Sequence, residues 1–148
     1  MVNPVVPANS AKGVILFVDD NPADYHMFIE SMNRIDFKPP VTWIDNGDKA
    51  LQYLSRKTVN PTLIILDLNL PGVHGYTVLK YLKTEREKRK IPVIIFSSSD
   101  RKRDIELSYQ NYANSYVKKP DNLEAYLAFA AEIRSYWFGT VNLPDRDI

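Results

Sequence analysis

Three short runs in this chain are apolar without interruption: Val14–Val18 (VILFV), Leu63–Leu66 (LIIL) and Val93–Phe96 (VIIF). A strand with one face in water alternates apolar and polar residues. A continuous, β-branched-rich run of this length suits a parallel strand buried on both faces. Two weaker runs, Val41–Ile44 (VTWI) and Tyr116–Val117, bring the set to five. Between the runs lie segments with helical spacing, marked by Phe28, Met32 and Ile35, by Leu51 and Leu54, and by Val78 and Leu82. Gly13, Gly47, Gly72, Gly75 and Gly139 all fall outside the runs, where turns belong. Strand followed by helix, repeated five times without any internal sequence repeat, predicts the α/β class: a doubly wound (βα)5 unit whose five-stranded parallel sheet carries helices on both faces.

The chain has 148 residues, enough for one domain with a sizeable core. Its expected organisation is a loose, proline-containing N-terminal arm over residues 1–12, a folded body over 13–138 and a tail over 139–148. That organisation leaves no room for a separate effector domain. Nineteen Lys and Arg against eighteen Asp and Glu lack the basic footprint of a nucleic-acid binder. With no cysteine, disulfides, thiolate metal sites and cysteine nucleophiles are all excluded. No apolar run approaches the roughly 20 residues of a membrane span, and the first dozen residues lack the order of a signal peptide. A cytoplasmic protein, free of membrane and nucleic acid, is the expectation.

In doubly wound sheets the chemistry sits beyond the carboxyl ends of the strands. There the first run stops at Asp19-Asp20, the third at Asp67, the fourth at Ser97, and the fifth is followed by Lys119-Pro120. Singly, each has a plain explanation as a helix cap, a turn residue or a solvated charge. Together they place three carboxylates, a hydroxyl and an ammonium on one edge. Clustered carboxylates repel and gain protons unless a cation neutralises them. An oxygen-only set without His or Cys suits a hard ion, Mg²⁺ above all where phosphate is handled. The combination reads as a phosphoryl-transfer site, with Asp67 as nucleophile and Lys119 and Ser97 facing phosphoryl oxygens.

These residues resemble the receiver (CheY-like) domain, the phospho-accepting module of two-component response regulators. The resemblance rests on the pair Asp19-Asp20, the segment LDLNLPGVHGY with Asp67 and Gly75, the SSS after the fourth run, and YVKKP ending in Lys119-Pro120. Thirty residues separate Asp67 from Ser97 and 22 separate Ser97 from Lys119, also as in that family. The resemblance implies a flavodoxin-like strand order, 2-1-3-4-5. It implies that Asp67 accepts a phosphoryl group from a histidine kinase, and that Asp20, Asp67 and the Asn69 backbone carbonyl bind Mg²⁺ directly. Asp19 would act through water, Ser97 and Lys119 on the phosphoryl oxygens, and Tyr116 as the switch aromatic. Asn69 and Ser99 would tune hydrolysis of the phospho-aspartate. Such a protein catalyses only its own phosphorylation and dephosphorylation, and is a switch of protein–protein binding rather than an enzyme. One departure is Tyr112 of YANSY, where receivers commonly have glycine before the fifth strand; a positive φ there would strain the residue.

The ending YWFGTVNLP (Tyr136–Pro144) is similar to that of stand-alone response regulators that partner bacterial and cyanobacterial phytochromes. This implies a phytochrome-type histidine kinase as partner. The last helical segment, Asn122–Phe138, carries one apolar stripe of Leu123, Leu127, Ala130 and Trp137 and a second of Tyr126, Phe129, Ile133 and Tyr136. One stripe suffices to seat a helix on a sheet. The second is either wider core burial or an interface. A homodimer is expected through the region of Tyr109, Tyr116, Tyr126, Phe129, Ile133 and Tyr136, extended by Tyr112, with the tail packing across it.

One charged run has two readings. Arg101-Lys102-Arg103 follows Asp100, a suitable N-cap, and is either a solvated surface or a docking patch for the kinase. Two other functions compete with this reading. A phosphatase with an aspartyl-phosphate intermediate would need an acid where Asn69 stands in DLN. An unphosphorylated receiver-like scaffold would not need Asp19, Asp20, Asp67, Ser97 and Lys119 together.

Overall fold

The computed structural model describes residues 15–144, and in them the apolar runs become β1 (Ile15–Val18), β2 (Val41–Ile44), β3 (Leu63–Leu66), β4 (Val93–Ser97) and β5 (Ser115–Lys118). The helices are α1 (Pro22–Arg34), α2 (Gly47–Leu54), α3 (Gly75–Thr84), α4 (Lys102–Gln110) and α5 (Leu123–Glu132). The strands form one parallel sheet in the order β2-β1-β3-β4-β5. The expected arm over 1–12 and the tail beyond 144 lie outside the described residues.

The continuous apolar runs are explained by the two layers that cover them. Leu16, Val18, Ile64, Leu66, Val93 and Ile95 pack with Ala50 and Leu54 of α2 and Val78, Leu79 and Leu82 of α3. Their neighbours in sequence, Ile15, Phe17, Leu63, Ile65, Ile94 and Phe96, pack on the other side with Phe28 and Met32 of α1 and Phe129 and Ala130 of α5. Successive strand residues point to opposite faces, so a sheet covered twice needs apolar side chains at every position. β2 is an edge strand, and its four residues are only half-buried.

Local chemistry sets where the helices begin. Asn21, Asn46 and Asn122 accept backbone N–H bonds from Ala23, Lys49 and Ala125, and so cap α1, α2 and α5. His74 caps α3 through its Nδ1, which accepts from Tyr76 N at 3.2 Å. Gly75 opens α3 because nothing larger fits: a Cβ there would lie 2.3 Å from the Asp67 carbonyl oxygen and 2.5 Å from the Leu68 Cα. The helix can therefore start directly against the loop that carries Asp67. α4 differs from the expectation that Asp100 caps it. Its N-cap is Arg101, with no side-chain cap bond, and the Asp100 carboxylate instead meets Lys118 at 3.4 Å. The turn there is held by Ser99, whose Oγ accepts from Arg101 N.

The last segment departs from the single helix expected over Asn122–Phe138. The α-helix stops at Glu132 and the chain continues as a π-helix, Ile133–Thr140, after which Val141 N donates to Tyr136 O at 3.1 Å. The second apolar stripe is core rather than interface: Tyr126, Phe129 and Ile133 are buried among β1, β3, β4 and α1. α5 packs on both the sheet and α1 through this one stripe, the Phe129 ring lying 6.0 Å from Phe28 and 4.9 Å from Phe96, while Leu123 and Leu127 of the first stripe are only half-buried. This removes Tyr126, Phe129 and Ile133 from the expected dimer interface. Tyr109, Tyr112 and Tyr136 remain exposed, and Tyr116 is half-buried.

Tyr112 has φ 68° and lies exposed in the turn before β5, as the departure from glycine in YANSY suggested. The left-handed region costs an L-residue about 1 kcal/mol or more relative to glycine. Tyr112→Gly is therefore expected to stabilise the fold by on the order of 1 kcal/mol, read as a higher urea midpoint at unchanged m-value. A lower midpoint would show that the ring's contacts outweigh the strain.

Candidate functional site

Parallel ladder bonds carry one residue past the strand ends and place the site. Asp19 N donates to Ile44 O at 3.0 Å, Asp67 N to Val18 O at 2.9 Å and Lys119 N to Ser97 O at 2.8 Å. The three side chains thereby leave β1, β3 and β5 at the same edge of the sheet. Asp19 Oδ1 accepts from Asn21 N at 2.9 Å and Asp67 Oδ1 from Asn69 N at 3.2 Å, two Asx turns of the same form. The second oxygen of each faces one ammonium: Lys119 Nζ lies 3.0 Å from Asp19 Oδ2 and 3.1 Å from Asp67 Oδ2. Exposed Asp20 completes the cluster. Asp19, Asp20 and Asp67 each offer a carboxylate oxygen within 4.8 Å of the others.

Burial dominates the electrostatics. It pushes the Asp19 carboxyl up to about 6, against the opposing pull of the Asn21 amide and the Lys119 charge. Asp67 is likewise raised, first by burial, with Lys119 and the Asn69 amide working against it. Burial alone would lower the Lys119 ammonium, but its bond to Asp24 and the charges of Asp19 and Asp67 together hold it above the usual lysine range. Asp19 Oδ2 is a buried oxygen with no hydrogen bond of good angle among the described residues, and the Lys119 ammonium is its counter-charge. An under-satisfied buried oxygen in an oxygen-only set fits a hard divalent cation.

The other expected residues stand on β4 and β5 and converge on Ser99 rather than on Asp67. Buried Ser97 accepts through its Oγ from Ser99 N at 3.2 Å, and the Tyr116 hydroxyl donates to Ser99 O at 2.8 Å. Ser99 Oγ donates to Asp104 Oδ2 at 2.6 Å, and the Tyr76 hydroxyl donates to Asp104 Oδ1 at 3.1 Å. The bond from Ser99 holds the Asp104 carboxyl below its ordinary value. Asn69 is exposed, with its backbone amide on Asp67.

Two residues absent from the sequence reading belong here. Asp24, in the first turn of α1, contacts Lys119 Nζ at 2.8 Å and accepts from the Tyr126 hydroxyl at 2.8 Å. Asp104 anchors Ser99 from α4. Both read in sequence as ordinary first-turn acids that complement a helix dipole.

The response regulator receiver domain family matches residues 15–130. Rcp1, a response regulator from Synechocystis sp., is 32% identical over 136 residues, covering 88% of this chain and 92% of that protein. The probable methanogenesis regulatory protein FilR2 of Methanothrix harundinacea is 34% identical over 130 residues, covering 85% and 84%. The crystal structure of the phosphorylated cyanobacterial phytochrome response regulator RcpA superposes with a TM-score of 0.84 at 32% identity, covering 90% of this chain and 99% of that one. The Mn²⁺-bound form of Rcp1 gives a TM-score of 0.82 with the same coverage. Sheet order, carboxylate edge and these relatives agree: the chain belongs to the response regulator receiver domain family of two-component signalling.

Proposed function

We propose that Asp67 accepts the phosphoryl group and that the chain acts as a phosphorylation switch for protein–protein binding. The observation that carries this reading is the buried Asp67 carboxylate, held by the Asn69 amide and the Lys119 ammonium at the mouth of an acidic cluster. An Asp67 oxygen attacks the phosphorus of a phosphohistidine donor. The new O–P bond forms as the donor's P–N bond breaks, and the departing imidazole takes up a proton. Lys119 pairs with a phosphoryl oxygen as a compact charge, and Ser97, released from Ser99, donates to another. Asp20, Asp67 and the Asn69 carbonyl would hold Mg²⁺, with Asp19 one water away. When bound, such an ion neutralises charge on the transferred phosphoryl oxygens.

The same reading gives the remaining roles. Asn69, two residues beyond the acceptor, and Ser99 tune hydrolysis, and Tyr116 is the switch aromatic, coupled to Ser97 through Ser99. Apart from this self-directed chemistry we assign no enzymatic turnover. The donor we favour is a phytochrome-type histidine kinase in the cytoplasm. Its support is the tail from Tyr136 and the similarity to RcpA. Among the described residues, no helix is long and apolar enough to cross a membrane. We assign self-association to exposed Tyr109, Tyr112 and Tyr136, the last of which lines an open groove of about 520 Å³ with Val117, Phe129, Ile133 and Trp137.

Acetyl phosphate with Mg²⁺ is expected to add one phosphoryl mass to the chain. EDTA and Asp67→Asn are each expected to abolish the gain; an equal gain in the variant would place the acceptor elsewhere. Stability supplies a second test. Carboxyl groups raised by burial bind protons more tightly folded than unfolded, so without divalent ions stability falls as pH rises from about 4 to about 6 and stays lower above it. In EDTA at pH 7, Asp19→Asn is therefore expected to melt several degrees above wild type. Mg²⁺ is expected to raise the wild-type midpoint and to do little for Asp67→Asn. For self-association, sedimentation is expected to show a dimer that Tyr136→Glu weakens at least tenfold; a monomer at all concentrations would exclude the dimer.

A further inference from the structure

Lys119 has three N–H donors and meets three carboxylates, of which Asp24 is the nearest. Asp24 lies outside the set of acids whose oxygens gather within 4.8 Å, which comprises Asp19, Asp20 and Asp67. Its own position is over-determined. Asp24 Oδ2 takes Lys119 at 2.8 Å while Asp24 Oδ1 takes the hydroxyl of buried Tyr126, also at 2.8 Å. The Tyr126 ring is fixed in turn by edge contact with Phe96, at 6.2 Å between centroids. The bridge Tyr126–Asp24–Lys119 thus ties α5 and α1 to the residue after β5. Nothing in the receiver pattern read from the sequence assigns a role to Asp24 or to the Tyr126 hydroxyl.

A lysine held only by Asp19 and Asp67 would lose its partners when a divalent ion took the oxygens that it faces. It would also be free to turn about its flexible stem, since an ammonium has no fixed donor plane. Asp24 supplies a charged partner to one side of that cluster. We propose that Asp24, braced by Tyr126, is a positioning residue for Lys119: it anchors the ammonium beside the acidic cluster, so that the two N–H groups now facing Asp19 and Asp67 can turn to the phosphoryl group on Asp67 once a cation takes those oxygens. This rests on Asp67 being the acceptor.

The test compares wild type, Asp24→Asn and Tyr126→Phe. Asp24→Asn keeps the shape and removes the charge, whereas Tyr126→Phe keeps every charge and removes the brace. In ion-free protein, the NMR signal of the Lys119 ammonium is expected to be visible in wild type and to broaden through water exchange in both variants. Mg²⁺ affinity is followed by fluorescence of Trp43, whose Nε1 donates to the Asp19 carbonyl at 2.8 Å. At saturating Mg²⁺ and acetyl phosphate, phosphorylation of Asp24→Asn is expected to slow roughly tenfold, the scale of one charge-assisted hydrogen bond. Tyr126→Phe is expected to slow it roughly threefold with unchanged net charge. Wild-type rates at saturation in both folded variants overturn the proposal. So does a loss confined to Mg²⁺ affinity, which would make Asp24 merely one more negative charge. If wild type itself takes no phosphoryl group, from acetyl phosphate or from a histidine kinase, the reading of Asp67 fails first and this one with it.

Discussion

One ammonium shared among buried carboxylates organises the working end of this protein. Lys119 lies within 3.1 Å of Asp19, Asp24 and Asp67, and two of these acids are buried. Burial by itself would drive Asp19 and Asp67 toward the protonated form and Lys119 toward the neutral one. Their mutual proximity keeps the lysine charged and restrains the rise of the acids. The arrangement is stable enough to exist and poorly enough satisfied, at Asp19 Oδ2, to accept another cation. Buried charge held in tension of this kind is a common property of sites that bind metal or handle phosphate.

That tension needs a rigid support, and the doubly covered sheet provides it. β1, β3 and β4 are buried on both faces, and their ladder bonds extend to Asp19, Asp67 and Lys119 themselves. The acids are therefore placed by backbone rather than by loop. Gly75 contributes by letting α3 press against the carbonyl of Asp67. On the far side of β4 the contacts are of another kind. Ser97, Ser99, Tyr116, Asp104 and Tyr76 are joined by side-chain hydrogen bonds, which rearrange more easily than a ladder. Rigidly placed acids beside an adjustable hydroxyl network are a physical basis for a two-state switch.

Much of this is legible in the sequence. Continuous apolar runs announced a parallel sheet, and the residues at which they stop were those that meet at its edge, because a parallel sheet aligns all its strand ends. Tyr112 was readable as a strained position because a turn geometry, not a packing detail, demands the left-handed region. The errors fell where periodicity is ambiguous. Tyr126, Phe129 and Ile133 form a stripe that looks the same whether it faces α1 or a second molecule, and the structure shows α1. The change from α- to π-helix after Glu132 leaves no mark in the apolar pattern.

The sequence alone determined the class of fold, the sheet edge at which carboxylates gather, and the acids, hydroxyl and lysine that stand there. These follow from the order of residues along each strand, which is local information. Only the tertiary structure decided which carboxylates share Lys119, that Asp24 and Tyr126 belong with them though 102 residues separate Asp24 from Tyr126, and that Ser99 gathers Ser97, Tyr116 and Asp104. Those contacts depend on how α1, α4 and α5 are set against the sheet. That setting is a property of packing across the whole chain, which no single segment encodes.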